Sequence, residues 1–465
     1  MRPNIIFFLI DGLRADQCFG KDKTSFTPNI DSLRKKGTYF TSAFTSVDGT
    51  ILSLSTIFNS LYPIKTGTRN KLTLQKNNLF DILIKNGYEI NGLVPDLKGF
   101  TEYVNYFENK NKIYAYWEYM SKMDQFLLNT SSAITDKIID FLKSKTSKKP
   151  WFYYIHALTL HPLKEYFASH KSKHNLLNHG IKDFDNEKFG AGLYERTVSF
   201  IDHELGKILE YVDLDNTILI LTSDHGQSIP YEGHSEVDFQ PKLEHAVDFG
   251  KKILPKSAHK IGGQFLYNIR KSVGKRKLNK SNKKLTNYQK RSRDPYFTLS
   301  LFDELIHVPL LFMGNSIKPR VITKQVRHVD ISPTIYELLD ISLDRKISGK
   351  SLISLDDESS QEENPSYLHT MPYQKLSPSD MVGLRTGKYK YFRAARDPKA
   401  NVNLYDLKND PYDNNNIAET NKELITQFEK KILQLEKDNL SEYEEEISEQ
   451  ELQRISNELK RLGYM

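Results

Sequence analysis

Apolar and polar positions fall into short blocks along this chain, and the blocks alternate between two periodicities. Asn4–Ile10 (NIIFFLI) is a continuous apolar run closed by the turn-forming Asp11-Gly12. A run of that kind predicts a strand buried on both faces of a parallel sheet. Pro28–Gly37 follows, with proline at its start, apolar Ile30 and Leu33, and a glycine stop, which predicts a helix. Asn77–Asn86 predicts a second helix and Tyr88–Val94 a strand. Pro150–His156 and Asn216–Thr222 read as two more buried strands, each running into polar residues. Between them, Tyr194–Val212 places Val198, Ile201, Leu205 and Leu209 on one helical face. His307–Met313 and Pro333–Leu339 repeat the strand-then-helix order. The alternation predicts an α/β fold with one large sheet between layers of helices. Gly387–Arg393 suggests a strand of a smaller C-terminal unit. Leu424, Phe428, Ile432 and Leu435, then Leu452, Ile455, Leu459 and Leu462, predict an amphipathic helical tail interrupted by the Glu-rich stretch Glu442–Glu451.

Composition narrows the class. The 465 residues are 38% hydrophobic and 27% charged, the balance of a chain with a real core, and the length suits one large domain and a smaller one. A single cysteine, Cys18, excludes an intrachain disulfide and an all-cysteine zinc site. The apolar run Ile5–Ile10 is too short for a signal-peptide core or a membrane span, so a cytoplasmic location is expected.

The net charge of +7 is unevenly distributed. Positions 251–293 hold fifteen Lys/Arg and no acid, whereas the rest of the chain carries 51 basic and 59 acidic residues. The half from Lys275 to Arg293 is almost free of large apolar residues and reads as a mobile segment or an insertion. Its aromatics, Phe265, Tyr267 and Tyr288, do not form a base-stacking pattern, so nucleic acid is not the expected partner. An acidic polysaccharide or peripheral contact with an anionic membrane fits better, and a solvated loop is the plain alternative.

Candidate chemistry follows from the predicted sheet, because open α/β sheets place their sites at the carboxyl ends of strands. That rule selects Asp11, His156 and the pair Asp224-His225. Carboxylate and imidazole together suit a divalent metal such as Zn²⁺ or Mn²⁺, while Ca²⁺ or Mg²⁺ prefers oxygen alone. Thr50 follows the turn Asp48-Gly49 and opens a helical stretch with Leu54, Ile57, Phe58 and Leu61. It is either a plain helix cap or, beside a metal at a helix start that favours anions, a nucleophile.

These residues resemble the sulfatase family of the alkaline phosphatase superfamily. Nine segments fall in the family's order: Asn4–Asp16, Thr27–Phe40, Thr50–Pro63, Ile155–Tyr166, Thr222–Gly226, Asp303–Leu311, Val329–Thr334, Ser348–Leu352 and Leu404–Pro411. The resemblance implies an alkaline phosphatase-like fold: a large mixed, mostly parallel sheet sandwiched by helices, with a smaller C-terminal α+β subdomain. On that basis residues 1–345 form the catalytic domain with the basic insertion 251–293, residues 346–418 the subdomain, and 419–465 the tail.

Two departures shape the functional expectation. Sulfatases use a C/S-x-P-x-R motif whose first residue becomes formylglycine; here Thr50, Leu52 and Leu54 stand at those three positions. The Asp pair that many sulfatases carry after the first strand is here Asp11-Gly12. The set Asp11, Thr50, Asp224 and His225 resembles the single-metal site of the superfamily's phosphoethanolamine and phosphoglycerol transferases, which use a threonine nucleophile. Those enzymes are usually membrane-anchored, which this chain does not resemble. The resemblance thus implies a metal-dependent hydrolase or transferase of sulfate or phosphate esters, carried by a glycan or lipid headgroup. By that resemblance the metal is expected to be Ca²⁺, Mn²⁺, Zn²⁺ or Mg²⁺, held by Asp11, Thr50, Asp224 and His225, with Thr50 as the nucleophile. His156, His161 and His234 are expected to hold non-bridging oxygens or protonate the leaving group, and Lys390 to bind substrate. A pseudoenzyme that binds an anionic glycan is the non-catalytic alternative.

Overall fold

The computed structural model describes residues 2–62, 72–96, 101–114, 123–145, 149–161, 182–229, 285–292, 300–356, 364–370 and 379–438, with isolated positions between them. The first strand, β1 (Asn4–Ile10), is buried over six of its seven residues, as its unbroken apolar sequence requires. It is followed by α1 (Pro28–Lys36), β2 (Thr38–Phe44), α2 (Thr50–Asn59), α3 (Leu79–Lys85), β3 (Glu89–Pro95) and the two-residue β4 (Ile113–Tyr114). Next come α4 (Met123–Ser144), β5 (Trp151–Ala157), α5 (Leu193–Leu209) and β6 (Thr217–Thr222). The chain returns with β7 (His307–Met313), β8 (Arg320–Ile322), β9 (Val326–Arg327) and α6 (Ile331–Leu338).

These strands make one nine-stranded sheet in the order β4-β3-β5-β1-β6-β7-β2-β8, with β9 also paired to β2. The β4-β3-β5-β1-β6 half is parallel. β7 pairs antiparallel with both β6 and β2. The sheet is therefore mixed and mostly parallel, as expected from the sequence.

The register of the central strands places the site. His156 lies opposite Leu9 of β1, and Leu9 in turn lies opposite Thr222 of β6. Side chains two residues apart share a face, so Asp11 and Asp224 continue onto the face that carries His156. Helix α2 packs on that same face. The ring of Phe58 meets Phe7 and Tyr154 edge-on, with centroids 6.3 and 5.3 Å away. All ten residues of α2 are buried, which fixes where its first residue, Thr50, can point. On the far side, Asp202 of α5 caps α1, accepting from the backbone N–H groups of Asn29 (3.1 Å) and Ile30 (2.7 Å).

A second, antiparallel sheet has the order β10 (Ser366–His369), β11 (Met381–Arg385), β12 (Tyr389–Ala394) and β13 (Asn403–Asp406). The tail helix α7 (Lys422–Asp438) buries Phe428 and Ile432 against it, and Phe428 stacks on Tyr391 at 5.6 Å. Residues 439–465, including the second half of the expected helical tail, lie outside the described residues. Among the described residues no helix is long and apolar enough to cross a membrane.

One expectation is corrected. The end of the basic stretch forms a short helix, Asn287–Ser292, docked by its side chains rather than left solvated. The Arg291 guanidinium donates to Glu304 at 3.1 Å and to the carbonyls of Asp413 (3.0 Å) and Tyr412 (2.9 Å). Residues 251–271 lie outside the described residues.

Candidate active site

Asp11 is fully buried one residue beyond β1, held by its backbone N–H bond to the Ala157 carbonyl at 2.9 Å. Its Oδ2 faces His156 Nε2 at 3.2 Å and the Thr50 hydroxyl, which donates to it at 3.3 Å. Thr50 Oγ1 also lies 3.3 Å from His225 Nε2. His225 Nε2 is 3.4 Å from Asp224 Oδ2 and 3.8 Å from Asp11 Oδ1. Four of the residues read from the sequence thus converge on one point, and His156 joins them from β5. His161, almost fully buried, turns back just after β5 through its N–H bond to the Leu158 carbonyl.

The backbone is built to hold this group. Asp224 Oδ1 accepts from the N–H groups of Gly12 (3.2 Å) and His225 (2.9 Å), which ties the loop after β6 to the loop after β1. Gly12 adopts φ +75°, the left-handed region that favours glycine. A Cβ there would also lie 2.8 Å from Gln227 Oε1, so the second carboxylate missing from the sequence could not simply be added. Beneath the site, the Ser53 hydroxyl donates to the Asp224 carbonyl at 2.7 Å and faces His328 Nδ1 at 3.0 Å. A hydroxyl has one proton to give, so His328 must carry its own on Nδ1. Burial lowers the His328 pKa to about 3 and keeps that ring neutral. Ser53 and His328 were not found from the sequence because their contact spans 275 positions.

Electrostatics separate the two carboxylates. Burial opposes ionisation of Asp11, yet the hydrogen bond with His156 and the neighbouring imidazoles of His225 and His161 outweigh it and hold the carboxyl well below the usual range. Burial, with repulsion from Asp11, pushes Asp224 up. Two buried carboxylates sharing a site are the arrangement a dication would relieve. Asp11, His156 and Asp224 can each offer one ligand atom, all within 4.8 Å of one another, and His225 lies beside them. The residues fit a divalent cation.

His234 lies outside the described residues. Lys390, on β12, is fully buried and ion-paired with Asp303 (2.7 Å) and Asp413. Its ammonium thus links the small sheet to residues on other segments of the chain.

The chain is similar to several known proteins. Mouse arylsulfatase K is 32% identical over 130 residues, 26% of this chain and 24% of its own length. The arylsulfatase of Clostridium perfringens is 24% identical over 333 residues, covering 51% of this chain and 68% of its own. The chain therefore spans about a quarter of the first relative and two thirds of the second. Among solved structures, the phosphonate monoester hydrolase of Agrobacterium radiobacter superposes with a TM-score of 0.61 at 16% identity, covering 94% of this chain and 96% of that one. A protein solved in complex with its substrate, D-glucosamine-2-N,6-O-disulfate, superposes with a TM-score of 0.60 at 17% identity, covering 94% and 99%. These likenesses show the fold. A family profile for the C-terminal part of N-sulphoglucosamine sulphohydrolase matches residues 296–438. The sulfatase profile itself matches residues 3–341, nearly three quarters of the sequence, and by that match the chain belongs to the sulfatase family.

Proposed function

We propose that this protein hydrolyses an anionic ester, a phosphate or sulfate ester of a glycan or lipid headgroup, with Thr50 as the nucleophile. One observation carries the reading: the Thr50 hydroxyl opens α2 within 3.3 Å of both Asp11 Oδ2 and His225 Nε2, in a family whose nucleophile sits at that motif position. Threonine cannot become formylglycine, which favours phosphoester chemistry. The glycan class is supported by the disulfated glucosamine bound by one structural neighbour.

Asp11, Asp224, His225 and His156 would hold the divalent cation, with Thr50 beside it. Bound there, such an ion supplies Lewis acidity and lowers the pKa of a coordinated hydroxyl. The remaining work belongs to the chain. Thr50 Oγ1 directs its proton toward Asp11 Oδ2 and presents its lone pairs to the ester. As Oγ1 gives up its proton to Asp11 Oδ2 or His225 Nε2, a bond forms from Oγ1 to the central phosphorus or sulfur, the bond to the leaving alcohol breaks, and that alcohol takes a proton from an imidazole. His161 is the described candidate, and such general-acid help is worth about 10²–10⁴-fold. Water then cleaves the Thr50 adduct, releasing inorganic phosphate or sulfate from a monoester and the remaining phosphomonoester from a phosphodiester. The N–H groups at the start of α2, which have no intrahelical partner, face the negative charge that builds on the non-bridging oxygens.

The test is a screen of phosphodiester, phosphomonoester and sulfate esters with several divalent metals. Thr50→Ala is expected to lower turnover by roughly 10⁴-fold or more. Thr50→Ser should retain part of it, and a rapidly quenched sample should show a mass adduct on Thr50. Chelation should abolish turnover, and one added metal should restore it. Turnover that survives Thr50→Ala would refute the assignment; a wild type that binds a divalent ion and glycan without turnover would favour the non-catalytic reading.

A further inference from the structure

We propose that Gln227 contacts the substrate: its side-chain amide donates a hydrogen bond to a non-bridging oxygen of the bound ester. The inference rests on the ester-hydrolase reading of the site and adds a residue to it. Gln227 follows Asp224-His225-Gly226 and is only 6% exposed. Its Oε1 would lie 2.8 Å from a Cβ at Gly12, so the amide occupies the space beside Asp11 that a side chain at position 12 would fill. Its Nε2 is buried with no hydrogen-bond partner among the described residues.

A buried amide donor without an acceptor is rare in folded proteins and needs a reason. Here a ligand provides one. The main chain around Gln227 is fixed from both sides: its carbonyl accepts from Arg14 at 3.4 Å, and the preceding Gly226 N–H donates to the Leu305 carbonyl at 2.8 Å. The backbone that carries the amide is therefore fixed before substrate arrives, and the side chain is nearly buried. The charge balance also fits. Asp11 and Asp224 already repel an anionic ester, and an amide at this spot adds a donor where a carboxylate would add a third repulsion. The ligand class is a tetrahedral oxyanion ester, and free phosphate and sulfate share its chemistry.

The experiment compares wild type, Gln227→Glu and Gln227→Ala. Calorimetry with Mn²⁺ present measures the binding of inorganic phosphate and inorganic sulfate, Mn²⁺ alone is titrated as control, and kcat and KM are read on whichever ester the wild type cleaves. Gln227→Glu keeps the shape and should weaken oxyanion binding by about 10-fold or more. KM should rise with it, while Tm holds and Mn²⁺ affinity is kept or tightened. Oxyanion binding and KM unchanged in both variants overturn the proposal, as does a loss that only follows Tm. Turnover by the wild type with indifferent Gln227 variants removes Gln227 and leaves the hydrolase reading standing. Oxyanion binding lost in Gln227→Glu, with no turnover by the wild type on any ester, does the reverse. A wild type that binds neither oxyanion overturns the proposal outright.

Discussion

Gly226 shows how little freedom the candidate site leaves a single residue. Its N–H is bonded to the Leu305 carbonyl, and a Cβ added there would meet the Glu304 carbonyl oxygen at 2.2 Å. Neither neighbour is the end of a flexible side chain, so the strand-end loop would have to part from residues 304–305. Gly226→Ala is expected to cost about 1–3 kcal/mol, the range for inserting an atom into a packed interior. Because His225 is the adjacent residue, divalent affinity should fall as well. Urea titration with an unchanged m-value, paired with Mn²⁺ calorimetry, checks both parts; a variant equal to wild type in both would mean that the loop has slack. The same scale explains what could be read beforehand. Asp11, Asp224, His225 and Thr50 were legible because each sits just where a predictable strand ends or a helix starts. Gln227 was not, because its significance depends on Gly12, 215 positions earlier, lacking a side chain. That Lys390 is buried between Asp303 and Asp413 was not legible, because nothing local announces that these distant residues will surround it.

At the scale of elements, the long apolar strands and the helices between them were visible, whereas β2, β8 and β9 and most of the small sheet were not. β2 (TYFTSAF) mixes polar and apolar residues with a shift of register against β7 between Phe40 and Ala43, so it presents neither an apolar run nor a clean alternation. The short helix Asn287–Ser292 was hidden by its charge. It touches both loops of the candidate site: Tyr288 OH accepts from Arg14 at 3.0 Å, and Arg291 pairs with Glu304, whose carbonyl lies against Gly226. Arg291 also lies over the Phe302 ring at 3.8 Å. Glu304 is 6% exposed, so Arg291→Gln leaves a nearly buried carboxylate without its cation. The expected loss is about 3 kcal/mol, the low end for breaking a buried pair. A deletion of 251–293, which removes the helix, should therefore be less stable than a deletion of 251–284, which keeps it, by at least as much as Arg291→Gln costs. Equal denaturation midpoints for the two deletions would show that the helix is a passenger.

Across the whole molecule, the two sheets are joined by a buried charge cluster that should impose a pH dependence of its own. Asp303, just before β7, pairs with Arg385 of β11 and Lys390 of β12, and Lys390 also pairs with Asp413 beyond β13. Burial, aided by repulsion from Asp303 and Glu304 and opposed by Lys390, pushes Asp413 up to about 7. Tyr405 also faces Asp413, and Arg291 bonds its carbonyl. Burial opposes ionisation of Asp303 too, but Arg385 and Lys390 outweigh it and hold that carboxyl far below the usual range. The signs are opposite. For Asp413 the folded state retains a proton that the unfolded chain has lost above its value of 3.8, so the stability this group contributes is present below 3.8 and declines as the pH rises toward about 7. For Asp303 the contribution is present above 3.8 and is lost only as the pH falls below it. Between pH 4 and 7 the cluster's slope thus belongs to Asp413. Asp413→Asn cannot ionise, and its stability should decline less over that range than the wild type's, with the two diverging most at neutral pH. Asp303→Asn should instead be destabilised throughout, because Arg385 and Lys390 lose a shared counter-ion. Urea unfolding of the three proteins at half-unit steps from pH 4.5 to 7.5 measures this, and parallel curves for wild type and Asp413→Asn would show that Asp413 is ionised across the whole range.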